Sequence, residues 1–200
     1  IKNLFKKNKF HYVIQSAATT AGAQSMKTDP FKFISGNAIM NSLIIKWSVH
    51  FQVEHFIFLS CTVMYRNSKR YLREYQFNLE KDIHPSYEGI ALTKVYIENI
   101  CKFYSKRSKT KFTAVRHSNI YGAFDKFRDK TGHFMSSIIT KISNKDKILE
   151  VWGDGKEKRD FLHVDDLLTG LELIFLRQKK SFEIFNMSTG KSYPLNKIIE

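Results

Sequence analysis

Three short apolar runs most constrain what this chain can become: Tyr12-Val-Ile-Gln-Ser16, His55-Phe-Ile-Phe-Leu-Ser60 and Phe112-Thr-Ala-Val-Arg-His-Ser-Asn119. Each has the length of a buried strand and ends in small or polar residues. Between them lie stretches with apolar residues at helical spacing. From Pro30 to about Val49 these are Phe33, Ile34, Ile39, Met40, Leu43, Ile44 and Trp47. Ile90 to Tyr104, Gly132 to Ile142 and Asp165 to Phe175 read as further helices, the last capped by Asp165 or Asp166. Leu149 to Trp152 reads as a short strand before a Gly153–Gly155 turn. Phe182 to Asn186 reads as a last strand, and Asn196 to Glu200 begins a helix. Strands alternating with helices predict an α/β fold with a parallel sheet.

In such sheets ligands sit outside the carboxyl ends of the strands. Ser16 to Gly22, Ser60 to Thr62 and His117 to Tyr121 all fall there. The small residues Ala17-Ala-Thr-Thr-Ala-Gly-Ala23 let a ligand approach the backbone closely. Two hundred residues, 42% of them hydrophobic, are enough for one domain with a small appended lobe. The longest apolar stretches, such as Phe56 to Leu59, are far too short to span a bilayer. The basic start, Ile1 to Phe10, has no apolar core of signal-peptide length. Cys61 and Cys101 stand in no metal-ligand spacing and read as reduced thiols of a cytoplasmic protein. The net charge of +14 comes from lysines spread along the chain, among them Lys6, Lys46, Lys81, Lys126 and Lys179. That pattern describes a solvated basic surface, one that also attracts a diphosphate, rather than a nucleic-acid face.

Five segments carry a resemblance. Val13-Ile-Gln-Ser-Ala-Ala18 with Gly22 looks like a V-I-H-L-A-A cofactor loop. Phe58-Leu-Ser-Cys-Thr-Val-Met-Tyr65 looks like a strand bearing a catalytic Ser or Thr. Arg116-His-Ser-Asn-Ile-Tyr-Gly122 looks like R-P-x-N-x-Y-G. Gly132-His133 stands where an S-H pair opens a helix. Val151-Trp-Gly-Asp-Gly-Lys-Glu-Lys-Arg-Asp-Phe-Leu-His-Val-Asp-Asp166 looks like V-W-G-x-G-x-x-x-R-[DE]-F-x-x-V-D-D, which is long and specific. On these segments the chain resembles the NAD-dependent epimerase/dehydratase family of extended short-chain dehydrogenases, most closely its GDP-L-fucose-synthase-like members.

The resemblance implies a Rossmann-like doubly wound parallel sheet, incomplete because the first βαβ unit has no counterpart. Residues 1–130 would be a partial NAD(P)-binding domain. Residues 131–200 would be mainly a substrate lobe, interleaved with the sheet and cut short. No G-x-x-G-x-x-G turn occurs among the nine glycines. The match starts at the family's fourth strand, so a chain shortened at its N-terminal end is expected.

The implied activity is NAD(P)-dependent epimerisation, reduction or dehydration of a nucleotide-diphosphate sugar, feeding polysaccharide synthesis. A member that binds such a sugar without turnover is the alternative. Lys94 falls where the family lysine lowers the pKa of an acid/base tyrosine and holds the cofactor ribose. Four residues earlier, however, stands Ile90. Tyr87 is the nearest phenol, and a helix starting after it would have to bring it closer to Lys94. Cys61 or Thr62 takes the Ser/Thr role, and His133 that of a general acid. Ala17, Ala18, Gly22, Ser60, Lys94 and His117 are expected at the NAD or NADP cofactor. Asn119, Trp152 and Arg159 are expected at the substrate, Arg159 gripping the diphosphate through parallel hydrogen bonds. Asn37 either supports a proton relay or caps and packs. No metal, nucleic acid or membrane partner is implied, and family analogy implies a homodimer for the full-length protein.

Overall fold

Among the described residues seven strands form two sheets: β1 (Tyr12–Gln15), β2 (His55–Cys61), β3 (Lys111–His117), β4 (Asn119–Tyr121), β5 (Lys158–His163), β6 (Phe182–Met187) and β7 (Ser192–Pro194). The computed structural model describes residues 1–20, 30–68, 70–83, 85–127, 132–144, 148–149 and 153–200. The main sheet has the order β1-β2-β3-β6, and all its pairings are parallel. It is the expected Rossmann-like α/β arrangement.

Parallel sheets need both faces covered, so their strands read as nearly continuous apolar runs. Successive side chains alternate between faces. Phe56, Phe58, Phe112 and Ala114 therefore meet Ile45, Ile97 and Cys101, which lie on two long helices. These are α2 (Ser35–His50) and α3 (Glu88–Ser105). Ile57 and Val115 point the other way, onto Leu167, Leu171 and Ile174 of α5 (Val164–Arg177). Two shorter helices are α1 (Lys2–Lys7) and α4 (Phe134–Ser143), and single helical turns lie at Leu79–Asp82 and, as expected near the end of the chain, at Asn196–Ile199. The buried Phe5 of α1 packs its ring 5.3 Å from Phe10 and 5.9 Å from Phe51.

The expected strand Phe112–Asn119 is in fact two strands. Ser118 alone separates β3 from β4, so the chain passes from one sheet to the other within a residue. In the small sheet β4 runs parallel to β5, and β5 antiparallel to β7. Asp160 fastens this sheet to the loop after β6. Its carboxylate accepts from Thr189 N at 3.1 Å, Thr189 Oγ1 at 2.8 Å and Lys191 N at 3.1 Å. Strand β6 lies beside β3 in the main sheet, so the second half of the chain contributes to both sheets.

Three features depart from the sequence reading. Strands β5 and β7 were not expected, because Lys158-Arg-Asp160 and Ser192-Tyr-Pro194 lack apolar alternation and are extended by their mutual pairing. The cap of α5 is His163, whose Nδ1 accepts the Asp165 N–H at 3.3 Å, while Asp165 and Asp166 lie in the first turn. Helix α1 carries too few residues for a periodic signal. The expected strand at Leu149 to Trp152 lies largely outside the described residues.

Candidate functional site

The carboxyl ends of β1, β2 and β3 meet the starts of α3 and α4. After β1 the backbone at Ser16 to Thr20 is exposed, as a ligand-facing loop of small residues must be. Asn37 holds that loop. Its Oδ1 accepts from Thr19 N at 2.8 Å, and its Nδ2 donates to Thr19 O at 3.1 Å and Phe33 O at 2.7 Å. Asn37 thus acts as a backbone clasp. Behind it the buried Gln15 amide bridges Asn41 Oδ1 and Ala17 O, both at 3.1 Å.

Lys94 enters from the first third of α3. Its Nζ donates to the Leu59 carbonyl at 2.6 Å and lies 4.7 Å from the centre of the Phe58 ring. Burial lowers its pKa, while Cys61 and Glu98 oppose that shift. Cys61, at the end of β2, is raised by burial, against the field of Lys94. Thr62 follows it in a half-buried helical turn, Thr62–Met64. His117 pairs with Cys61 in the β2–β3 register, so both side chains leave the same face. The His117 Nδ1 lies 2.7 Å from the Ser118 carbonyl. A carbonyl only accepts, so Nδ1 carries the hydrogen and Nε2 keeps its lone pair. Burial, with the fields of Lys94 and His133, pulls His117 down to about 4 and keeps it neutral at pH 7. His133 is exposed, directly ahead of α4. The structure therefore gathers Cys61, Thr62, Lys94, His117 and His133 at one end of the sheet.

A small cavity opens beside Lys94, lined by Ala18, Phe33, Asn37, Asn41, Phe58, Ile90 and Thr93. Ile90 thus faces it one helical turn ahead of Lys94. Tyr87 closes the 3-10 turn Pro85–Tyr87 and is the N-cap of α3, its backbone at φ −119° and ψ 8° lying outside helical geometry. The six residues Glu88 to Thr93 between it and Lys94 are helical, and Ile90 lines the cavity beside Lys94.

Other expected residues lie elsewhere. Ser60 is fully buried and donates its hydroxyl to Glu98 Oε1 at 2.6 Å, towards α3 and the core. Asn119 is exposed, and its Nδ2 donates to the Asp160 carbonyl at 2.9 Å. Arg159 lies on the small sheet, its guanidinium 5.9 Å from the centre of the Phe134 ring. Gly22 and Trp152 lie outside the described residues.

Sequence reasoning missed a buried network beneath the site. Glu98 accepts from Arg116 Nε at 3.0 Å and Nη2 at 2.6 Å. Arg116 Nη1 donates to Tyr65 Oη at 2.7 Å, and Tyr65 donates to Asn186 Oδ1 at 2.8 Å. Glu98 stands one turn after Lys94, so the network fixes the helix that carries the lysine. A charged residue on the core face of an otherwise apolar helix was the available signal.

A nicotinamide dinucleotide needs a donor at its ribose and a backbone cradle at its pyrophosphate. The buried Lys94 ammonium and the exposed Ala17 and Ala18 suit the ribose end. Among the described residues no glycine-rich turn forms the cradle.

A sequence model of the NAD dependent epimerase/dehydratase family matches residues 1–188. GDP-L-fucose synthase of Sinorhizobium fredii is 30% identical over 196 residues, covering 95% of this chain and 62% of that protein. GDP-L-colitose synthase of Yersinia pseudotuberculosis is 24% identical, covering 98% and 65% respectively. The chain thus spans about three fifths of the length of these curated relatives. Among solved structures, a GDP-6-OMe-4-keto-L-xylo-heptose reductase from Campylobacter jejuni superposes with a TM-score of 0.84 at 21% identity. It covers 99% of this chain and 69% of that one. UDP-glucose 4-epimerase of Thermotoga maritima gives 0.81 at 22% identity, covering 99% and 62%.

Proposed function

This chain belongs to the NAD dependent epimerase/dehydratase family, and we propose that it serves NAD(P)-dependent modification of a nucleotide-diphosphate sugar. The observation that carries this reading is Lys94, seated at the carboxyl end of β2 with Cys61, His117 and His133 around it. When bound, NAD or NADP would supply or take the hydride at a sugar carbon. Lys94 holds the cofactor ribose, and Ala17, Ala18 and Gly22 are the further cofactor-binding residues. His117 and the backbone at Ser60 border the cofactor. Thr62 or Cys61 hydrogen-bonds the reacting sugar oxygen, Thr62 being the stronger donor. Tyr87 and His133 are the acid/base candidates, and His133 is suited to proton exchange near neutrality. Asn119, Trp152 and Arg159 take the substrate, Arg159 its diphosphate. This assigns residues 1–130 mainly to the cofactor and 131–200 mainly to the sugar nucleotide. Similarity to GDP-L-fucose and GDP-L-colitose synthases supports a GDP-linked sugar, and polysaccharide synthesis is the process we propose it feeds.

Ile90 favours a second reading, in which the chain binds the sugar nucleotide without turnover. An aliphatic residue lines the cavity beside Lys94, where an acid/base pair needs a phenol. NAD(P)H absorbance with nucleotide sugars, run beside calorimetric binding, separates the two readings. Turnover lost in Lys94→Met supports the enzyme; binding with no turnover supports the second reading; neither would reject both.

The free thiols of Cys61 and Cys101 support a cytoplasmic site of action. Among the described residues no helix is long and apolar enough to cross a membrane. Ile39 and Leu43 of α2 and Leu92 and Tyr96 of α3 are exposed, at i, i+4 spacing on each helix, and Ser42 Oγ of α2 lies 3.4 Å from Tyr96 Oη. That apolar face supports a homodimer through these helices.

A further inference from the structure

Residues 157, 159 and 161 alternate onto one face at the entry to β5. Glu157 and Arg159 meet on that face. Arg159 Nε donates to Glu157 Oε1 and its Nη2 to Oε2, both at 3.1 Å. This is the fork-to-fork geometry with which a guanidinium also grips a phosphate. Aromatic rings fix its position from behind: Phe134 lies under the guanidinium, and Phe161 lies 6.0 Å from Phe134. The Arg159 side chain is 25% exposed and that of Glu157 60% exposed, so the carboxylate forms the outer half of the pair. The backbone at 157 is anchored separately, because the Glu157 carbonyl accepts from Leu195 N at 3.0 Å. Glu157 is the only acid in the run Lys156-Glu-Lys-Arg159. An outward carboxylate held by so exposed a pair is weakly bound and readily displaced.

We propose that Glu157 is an internal stand-in for the substrate diphosphate, occupying the fork of Arg159 until a nucleotide diphosphate displaces it, and thereby setting the affinity of the site. This rests on the reading of Arg159 as the diphosphate ligand. Glu157 excludes weak monoanions from the fork, whereas a diphosphate carries more charge than the carboxylate it displaces.

Calorimetric titration of the full chain with GDP and with UDP tests the proposal. Glu157→Gln should bind the better of the two about two- to fivefold more tightly than the unaltered chain, the range that an exposed ion pair can supply. Glu157→Ala should repeat that gain. Arg159→Ala should weaken binding about tenfold or more, and Glu157→Gln/Arg159→Ala should bind no more tightly than Arg159→Ala. If Arg159→Ala weakens binding while neither Glu157 variant tightens it, the stand-in role is wrong and Arg159 remains the ligand. A gain that persists in the double variant would reduce the effect to net charge and also overturn the proposal. If Arg159→Ala binds as the unaltered chain does, the reading of Arg159 itself fails.

Discussion

Replacing Arg116 by methionine strands a carboxylate in the core. Arg116 and Glu98 are 4% and 5% exposed at their side chains. Glu98 would keep the Ser60 hydroxyl and lose both contacts with the guanidinium. Tyr65 Oη and the Glu74 carbonyl, 3.2 Å from Nη1, would each lose a donor. Breaking a buried pair from one side costs about 3–5 kcal/mol. A typical domain has about 5–15 kcal/mol in total. With a urea slope of about 2 kcal/mol per molar, the unfolding midpoint should fall by roughly 2 M. Glu98→Leu/Arg116→Met should recover about half of that loss, leaving about 1 kcal/mol for each of the Ser60 and Tyr65 hydroxyls that lose a partner. Arg159→Ala is the contrast, since its pair is exposed and should change stability by less than about 1 kcal/mol. Urea titration followed by circular dichroism gives these values, with Glu98→Leu measured alongside to close the cycle. An Arg116→Met midpoint close to that of the unaltered chain, or a double variant as unstable as the sum of the singles, would refute the account of the network.

Three further outcomes are expected. His55 is buried, bonded through Nε2 to Thr113 Oγ1 at 2.7 Å, and pulled down to about 4, chiefly by burial. Its unfolded value is 6.5, so the unfolded chain binds the extra proton first. Stability is full above pH 6.5 and falls towards pH 4 by a sum on the order of 3 kcal/mol; thermal melts of His55→Leu should show a flatter loss between pH 6.5 and 5. Gly122 has φ +146°, and a Cβ there would lie 2.6 Å from Val164 Cγ1. Gly122→Ala should therefore cost about 1–3 kcal/mol, read as a lower Tm. Lys94→Met removes a desolvated cation and should leave the unfolding free energy from urea titration within about 1 kcal/mol, while NADPH affinity, followed by fluorescence, drops about tenfold or more.

Much of the main sheet was legible because β2 and β3 are buried on both faces, and such strands write themselves as apolar runs. Helix α3 was legible from Ile97, Ile100 and Cys101 for the same reason. The Tyr-Lys defect was visible at Ile90, which the structure places in the wall of the cavity beside Lys94. What stayed hidden depends on partners distant in sequence. Glu98 meets Arg116 only because α3 lies across β3. The Lys158–His163 strand is extended by pairing with β4 and β7, which its own polar start does not announce. His163 caps α5 because the chain turns there, so its ring nitrogen reaches Asp165 before either aspartate can act. Ser60 looked like a crevice residue because it ends an apolar run, yet strand alternation directs it to α3.

Binding of a nucleotide-diphosphate sugar, with its diphosphate in the fork of Arg159, is the central proposal. Its most direct test is calorimetric titration with GDP-mannose and UDP-glucose at moderate salt, with duplex DNA run alongside. The account predicts saturable one-to-one binding of at least one sugar nucleotide, lost in Arg159→Ala, with DNA binding that fades as salt rises. No binding of either sugar nucleotide, or binding that Arg159→Ala leaves intact, would contradict it.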